Sequence, residues 1–175
     1  ARRNLELARL DVEAARRDGL PATQVAVLEA NLSRSLGLHG DPAEGLETGR
    51  RVLGSGLLAR DAAVALVPAL VELALALGQD EVVDELLEAW IALDTLPARP
   101  LARKAYVLAL RQDAARTLET LDLIPAHAVD DQQVPFRKSE LAPVEVWALL
   151  SAGRAADAAE VAVQAAAAGL PSVAP

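Results

Sequence analysis

The chain has 175 residues, 53% of them hydrophobic but only 2% aromatic, with no cysteine and a net charge of −8. The missing cysteine excludes disulfides, thiolate zinc sites and a cysteine nucleophile. The negative balance argues against binding of nucleic acid by this segment, because such binding needs cations to displace counterions. Alanine (38) and leucine (31) dominate, and both are strong helix formers. The aromatic residues that support strand pairing are confined to Trp90, Trp147, Tyr106 and Phe136, so an all-α fold is expected.

Gly and Pro divide the chain into nine expected helices, roughly 2–18, 22–37, 42–54, 60–77, 80–94, 98–111, 113–122, 140–152 and 154–168. The first carries Arg2, Arg3, Arg9, Arg16 and Arg17; the pairs 2–3 and 16–17 read most simply as solvated. In the second, Val25, Leu28, Leu32 and Leu36 form an apolar stripe at helical spacing. Asp41-Pro42-Ala43-Glu44 opens the third with a capping-box arrangement. The fourth holds the longest apolar run, Ala62 to Val71. That run contains Pro68 and is closed by Glu72, too short to span a bilayer; Pro68 should kink this helix or move its start later. In the fifth, Val83, Leu86 or Leu87, and Trp90 form a stripe, and Asp80 and Glu81 suit the positive end of the helix dipole. A long connection, 123–139, precedes the eighth helix, for which Ser139 is the expected cap; Phe136 there either contacts a partner or tucks into the core. The last helix is mostly Ala and Val.

The turns repeat. Leu36-Gly37-Leu38-His39-Gly40-Asp41, Leu75-Ala76-Leu77-Gly78-Gln79-Asp80 and Leu149-Leu150-Ser151-Ala152-Gly153-Arg154 share a pattern, and Leu108-Ala109-Leu110-Arg111-Gln112-Asp113 is a version without Gly. Positions 40, 78, 112 and 153 serve as anchors. Five residues after them stand Gly45, Val83, Thr117 and Ala158, mostly small; four before them stand Leu36, Ala74, Leu108 and Leu149, all apolar. Pro recurs after an aliphatic residue at 21, 97, 125 and 171.

A two-helix unit of about 34 residues is the tetratricopeptide period, and the chain resembles that family of helical-hairpin repeats. The family's early Trp is replaced by Glu29, Val67, Leu101 and Ala142, and its mid-helix Tyr by Leu36, Ala74, Leu108 and Leu149. The resemblance implies a right-handed stack of antiparallel helical hairpins within a single domain over 1–175. Repeats would lie at 22–58, 60–97, 98–125 and 140–171, with 1–18 the end of a truncated repeat and the chain a fragment of a longer protein. A non-repeating Ala-rich bundle is the alternative architecture.

The marks of common enzyme classes are missing. Gly54-Ser55-Gly56 is not followed by Lys-Ser/Thr, and no Gly-x-Ser-x-Gly elbow occurs. His39 and His127 lack metal-ligand spacing. Asp130-Asp131 lies in the long connection and lacks the sequence context of a magnesium-binding helix. No enzyme activity, cofactor or metal is therefore expected.

In the tetratricopeptide family's register, the residue six before each anchor faces a concave groove. Arg34, Glu72, Tyr106 and Trp147 fall there, a set suited to capturing a peptide or a partner protein. Asp80, Asp84 and Glu88 follow i, i+4, i+8 and form an acidic helix face; a cationic partner or plain solvent are the two readings. The expected function is a non-catalytic protein–protein interaction scaffold. The alternative is the sensor or regulatory arm of a multidomain bacterial transcription regulator or signalling protein. The Arg-over-Lys bias points to a GC-rich bacterial source, and the absence of cysteine and of a spanning run to the cytoplasm without membrane association.

Overall fold

A computed structural model describes residues 2–124 and 141–167. Among the described residues there are nine α-helices and no strands: α1 Arg2–Arg17, α2 Ala22–His39, α3 Pro42–Gly54, α4 Arg60–Ala76, α5 Asp80–Leu93, α6 Ala98–Leu110, α7 Ala114–Asp122, α8 Ala142–Ser151 and α9 Ala155–Ala167. The all-α expectation holds, and the helix boundaries agree with the Gly/Pro punctuation to within about two residues. Two compact units follow one another, Ala1–Asp94 and Thr95–Pro175.

Three of the four repeated turns share one geometry. Gly78, Gln112 and Gly153 take φ of 66°, 60° and 74°. At each, the anchor N–H donates to the carbonyl three residues back, and the next N–H reaches the carbonyl five back: Gln79 to Ala74, Asp113 to Leu108, Arg154 to Leu149. This is the Schellman closure, which satisfies carbonyls that the helix end leaves open. Gly19 makes the same closure between α1 and α2, with Leu20 bonding to Ala15. Gly40 departs from the pattern. Its φ is −132°, because α2 runs on to His39. A Cβ there would lie 2.9 Å from a Leu5 methyl and 3.2 Å from the Leu36 carbonyl oxygen.

Starts follow local chemistry. The Asp41 carboxylate accepts from Ala43 N–H at 2.8 Å and Glu44 N–H at 3.3 Å, and Pro42 occupies the first turn. Glu44 bonds Arg9 of α1 at 3.1 Å. Asp113 caps α7 through Arg116 N–H at 3.1 Å. Pro21 and Pro97 both stand at the cap position of the helix they precede. Ser139, Pro125 and Pro171 lie outside the described residues, as does most of the 123–139 connection.

In the first unit, α2 packs against α1, α3 and α4, and α4 against α5. The anchor-related positions Leu36, Gly45, Ala74 and Val83 are all buried. Leu66, Val67, Leu70, Val71 and Leu87 fill the core, each worth about 1.5–3 kcal/mol of transfer free energy. α2 and α3 approach backbone to backbone: a Cβ at Gly45 would stand 2.9 Å from Gly37 N and Ser33 O. There the Ser33 hydroxyl donates to the Gly45 carbonyl at 2.7 Å.

The stripe on α2 needs correction. Its buried residues are Ala26, Glu29, Ala30, Ser33 and Leu36, while Val25, Leu28 and Leu32 are only half-buried. Small residues take the closest contacts because α2 is covered from several sides. The stripe on α5 holds: Val83, Leu86, Leu87 and Trp90 are all buried.

α4 runs without interruption through Pro68, so the later start is not realised. Pro68 offers no N–H to the Val64 carbonyl. One residue on, the Ala65 carbonyl accepts a bond from the Arg34 guanidinium of α2.

In the second unit, α6 packs on α7 and α8, α7 on α8, and α8 on α9. Leu108, Thr117, Leu149 and Ala158 are buried, matching their counterparts in the first unit. Thr117 and Thr120 satisfy their hydroxyls on the Asp113 and Arg116 carbonyls, each at 2.7 Å, so these polar groups are buried with partners.

Candidate functional site

The four groove candidates fall in pairs, one pair per unit. Arg34 lies on α2, half-buried, with its guanidinium on the Ala65 carbonyl of α4. Glu72 is exposed on α4, seven residues beyond Ala65 and so on the same face, about 10 Å along the axis. It too is engaged with the protein. Arg34 therefore bridges two first helices of the expected hairpins.

Tyr106 and Trp147 lie on α6 and α8, which contact one another. Tyr106 is 42% exposed although Ala105 and Val107 on either side are buried. The Arg103 guanidinium stands 5.1 Å from the ring centroid, within cation–π range. Trp147 is half-buried beside the buried Ala148. Neither aromatic side chain is enclosed in the core. Trp90, by contrast, is 8% exposed and donates its indole N–H to Asp94 at 3.0 Å.

Asp80, Asp84 and Glu88 are all exposed on one face of α5, and each takes part in an interaction with the protein. Next to them in sequence, Glu85 receives Arg50 of α3 at 2.8 Å, so a base from another helix reaches this acidic stretch. The Arg9–Glu44 and Arg50–Glu85 pairs each join residues 35 apart. They link α1 to α3 and α3 to α5. Both are solvent-exposed and individually worth at most about 1 kcal/mol; their information is positional.

Sequence reasoning missed a charged cluster. Glu29, only 7% exposed, sits on α2 and accepts from Arg16 of α1 and from Arg51 of α3, the latter at 3.0 Å. Arg16 is thus engaged and not simply solvated. The available signal was a carboxylate where the repeat pattern expects a large buried side chain. Beside the cluster opens a cleft of about 410 Å³ lined also by Leu20, Val25 and Leu57.

His39 is exposed at the end of α2; His127, Asp130, Asp131 and Phe136 lie outside the described residues. Among the described residues no group of three or more His, Cys, Asp or Glu side chains could hold a metal ion. Among those residues, too, no helix is long and apolar enough to cross a membrane. Compared with known family models, curated proteins and solved structures, the chain matches none.

Proposed function

We propose that this chain is a non-catalytic interaction module of the tetratricopeptide-like type, which captures a peptide or partner protein on the first helices of its hairpins. The observation that carries the reading is the pair Tyr106 and Trp147. They occupy equivalent positions on adjoining helices; Tyr106 is exposed between two buried neighbours, and Trp147 is half-buried beside the buried Ala148. Exposed aromatic surface beside an arginine is the composition of binding hot spots, and Arg103 over Tyr106 supplies it. In the first unit Arg34 and Glu72 take the corresponding positions. The repeated turn closure and the 35-residue spacing of the ion pairs support the repeat reading.

The test is affinity capture with the wild-type chain and with Tyr106→Ala/Trp147→Ala, run beside thermal melts. Loss of a specific partner at unchanged stability is the expected result. Retention of every partner, or unfolding of the variant, would make the two side chains structural and overturn the proposal.

A further inference from the structure

The buried acid of the first unit organises a second kind of surface. Burying a carboxylate costs free energy unless charge and hydrogen bonds answer it. Here two arginines answer one acid, leaving one net positive charge in the cluster. Each guanidinium spends one nitrogen on Glu29: NH2 of Arg16, NH1 of Arg51. A guanidinium carries five donors. Both arginine side chains stay more than half exposed, at 57% and 56%. Two guanidinium groups that would otherwise repel are held together at the same opening by the carboxylate between them.

Apart from Ser55 the rest of the cleft is apolar, and its rim is open. Leu20 is 42% exposed and Leu57 40%. The segment carrying Leu57 is fixed: the Ser55 hydroxyl donates to the Val52 carbonyl at 2.6 Å and accepts from Leu57 N–H at 3.2 Å. Gly56 makes the turn at φ 67°. A second, largely apolar depression of about 630 Å³ shares Leu20 and Leu57 and continues along Val27, Leu28 and Leu58. A cationic head position thus opens onto an aliphatic trough, and the volumes fall in the range of small-molecule sites, about 300–1,000 Å³.

We propose that this cleft binds a small aliphatic carboxylate, its head group taken by Arg16 and Arg51 and its chain laid over Leu20 and Leu57. A planar carboxylate suits the fork of a guanidinium, and a single negative charge matches the residual charge of the cluster. The site lies within the first unit and does not depend on the groove reading.

The test titrates octanoate into the wild-type chain, followed by amide NMR, with octan-1-ol and octylamine in parallel. Octanoate should saturate and shift the amides of Ala22–Glu29 and Ser55–Leu57, with the alcohol and the amine much weaker. Arg51→Gln should weaken octanoate about tenfold, the scale of one lost charge-assisted hydrogen bond, and leave the weak octanol response unchanged. Leu57→Ser should weaken it through the chain contact. Equal binding of octanol, absence of saturation, or full affinity in both Arg16→Gln and Arg51→Gln overturns the proposal. Should either arginine variant unfold, the comparison of the three ligands on wild-type protein decides alone.

Discussion

Removing the two arginines around Glu29 and removing Glu29 itself should have opposite consequences. The Glu29 side chain is 9% exposed, whereas Arg16 and Arg51 are more than half exposed. In Arg16→Ala/Arg51→Ala the carboxylate stays between α1, α2 and α3 without a cation. Stripping a buried charge of its partners costs about 3–5 kcal/mol. For a unit of this size, each kcal/mol moves the melting temperature by about 4–8 °C, so a fall of at least roughly 12 °C is expected. In Glu29→Leu the freed guanidinium groups turn to water, and an aliphatic side chain of similar size fills the site. Exchange of a buried ion pair for packed apolar groups is often neutral or stabilising by about 1–4 kcal/mol. The triple variant Arg16→Ala/Glu29→Leu/Arg51→Ala should therefore recover most of what the double arginine variant loses. Urea and thermal unfolding followed by far-ultraviolet circular dichroism measure all three. A double arginine variant within about 1 kcal/mol of wild type, the scale of an exposed pair, would refute the reasoning. So would a triple variant that remains as unstable as the double.

Three further perturbations probe the backbone. Gly45→Ala places a methyl 2.9 Å from Gly37 N and Ser33 O and should cost about 1–3 kcal/mol by overpacking, read from the urea midpoint. Gln112→Gly should stabilise by about 1 kcal/mol, since Gln112 alone among the Schellman anchors holds a positive φ with a side chain; a loss of stability would contradict the turn geometry. Pro68→Ala restores an N–H to the Val64 carbonyl and should raise the melting temperature, by an amount corresponding to at most about 3 kcal/mol.

The helices were legible because their limits are local. Gly19, Gly78 and Gly153 stand where a left-handed residue closes a helix, and Asp41-Pro42 announces the next one. Buried positions were legible at the anchors for the same reason: Leu36, Ala74, Leu108 and Leu149 are fixed by distance from the turn. The buried face of α2 was not. Its stripe of Val25, Leu28 and Leu32 satisfies a one-sided helix, but α2 meets three neighbours, and Ala26, Ala30 and Ser33 take the closest contacts. Glu29 was missed because its partners come from two other helices, 13 residues before it and 22 after it. The base that answers Glu85 on α5 was missed likewise, since Arg50 lies 35 residues away. The groove candidates were chosen on repeat position; the exposure of Tyr106 is a tertiary property that position alone does not give.

The measurement that bears most directly on the interaction reading is acrylamide quenching of the two tryptophans taken separately. Trp90→Phe leaves Trp147 as the reporter, and Trp147→Phe leaves Trp90. Trp147, half-buried, should be quenched more readily than Trp90, which is 8% exposed, and addition of a captured partner should shield Trp147 while leaving Trp90 unchanged. A Trp147 as shielded as Trp90 from the outset, or one whose quenching the partner does not alter, would contradict the account.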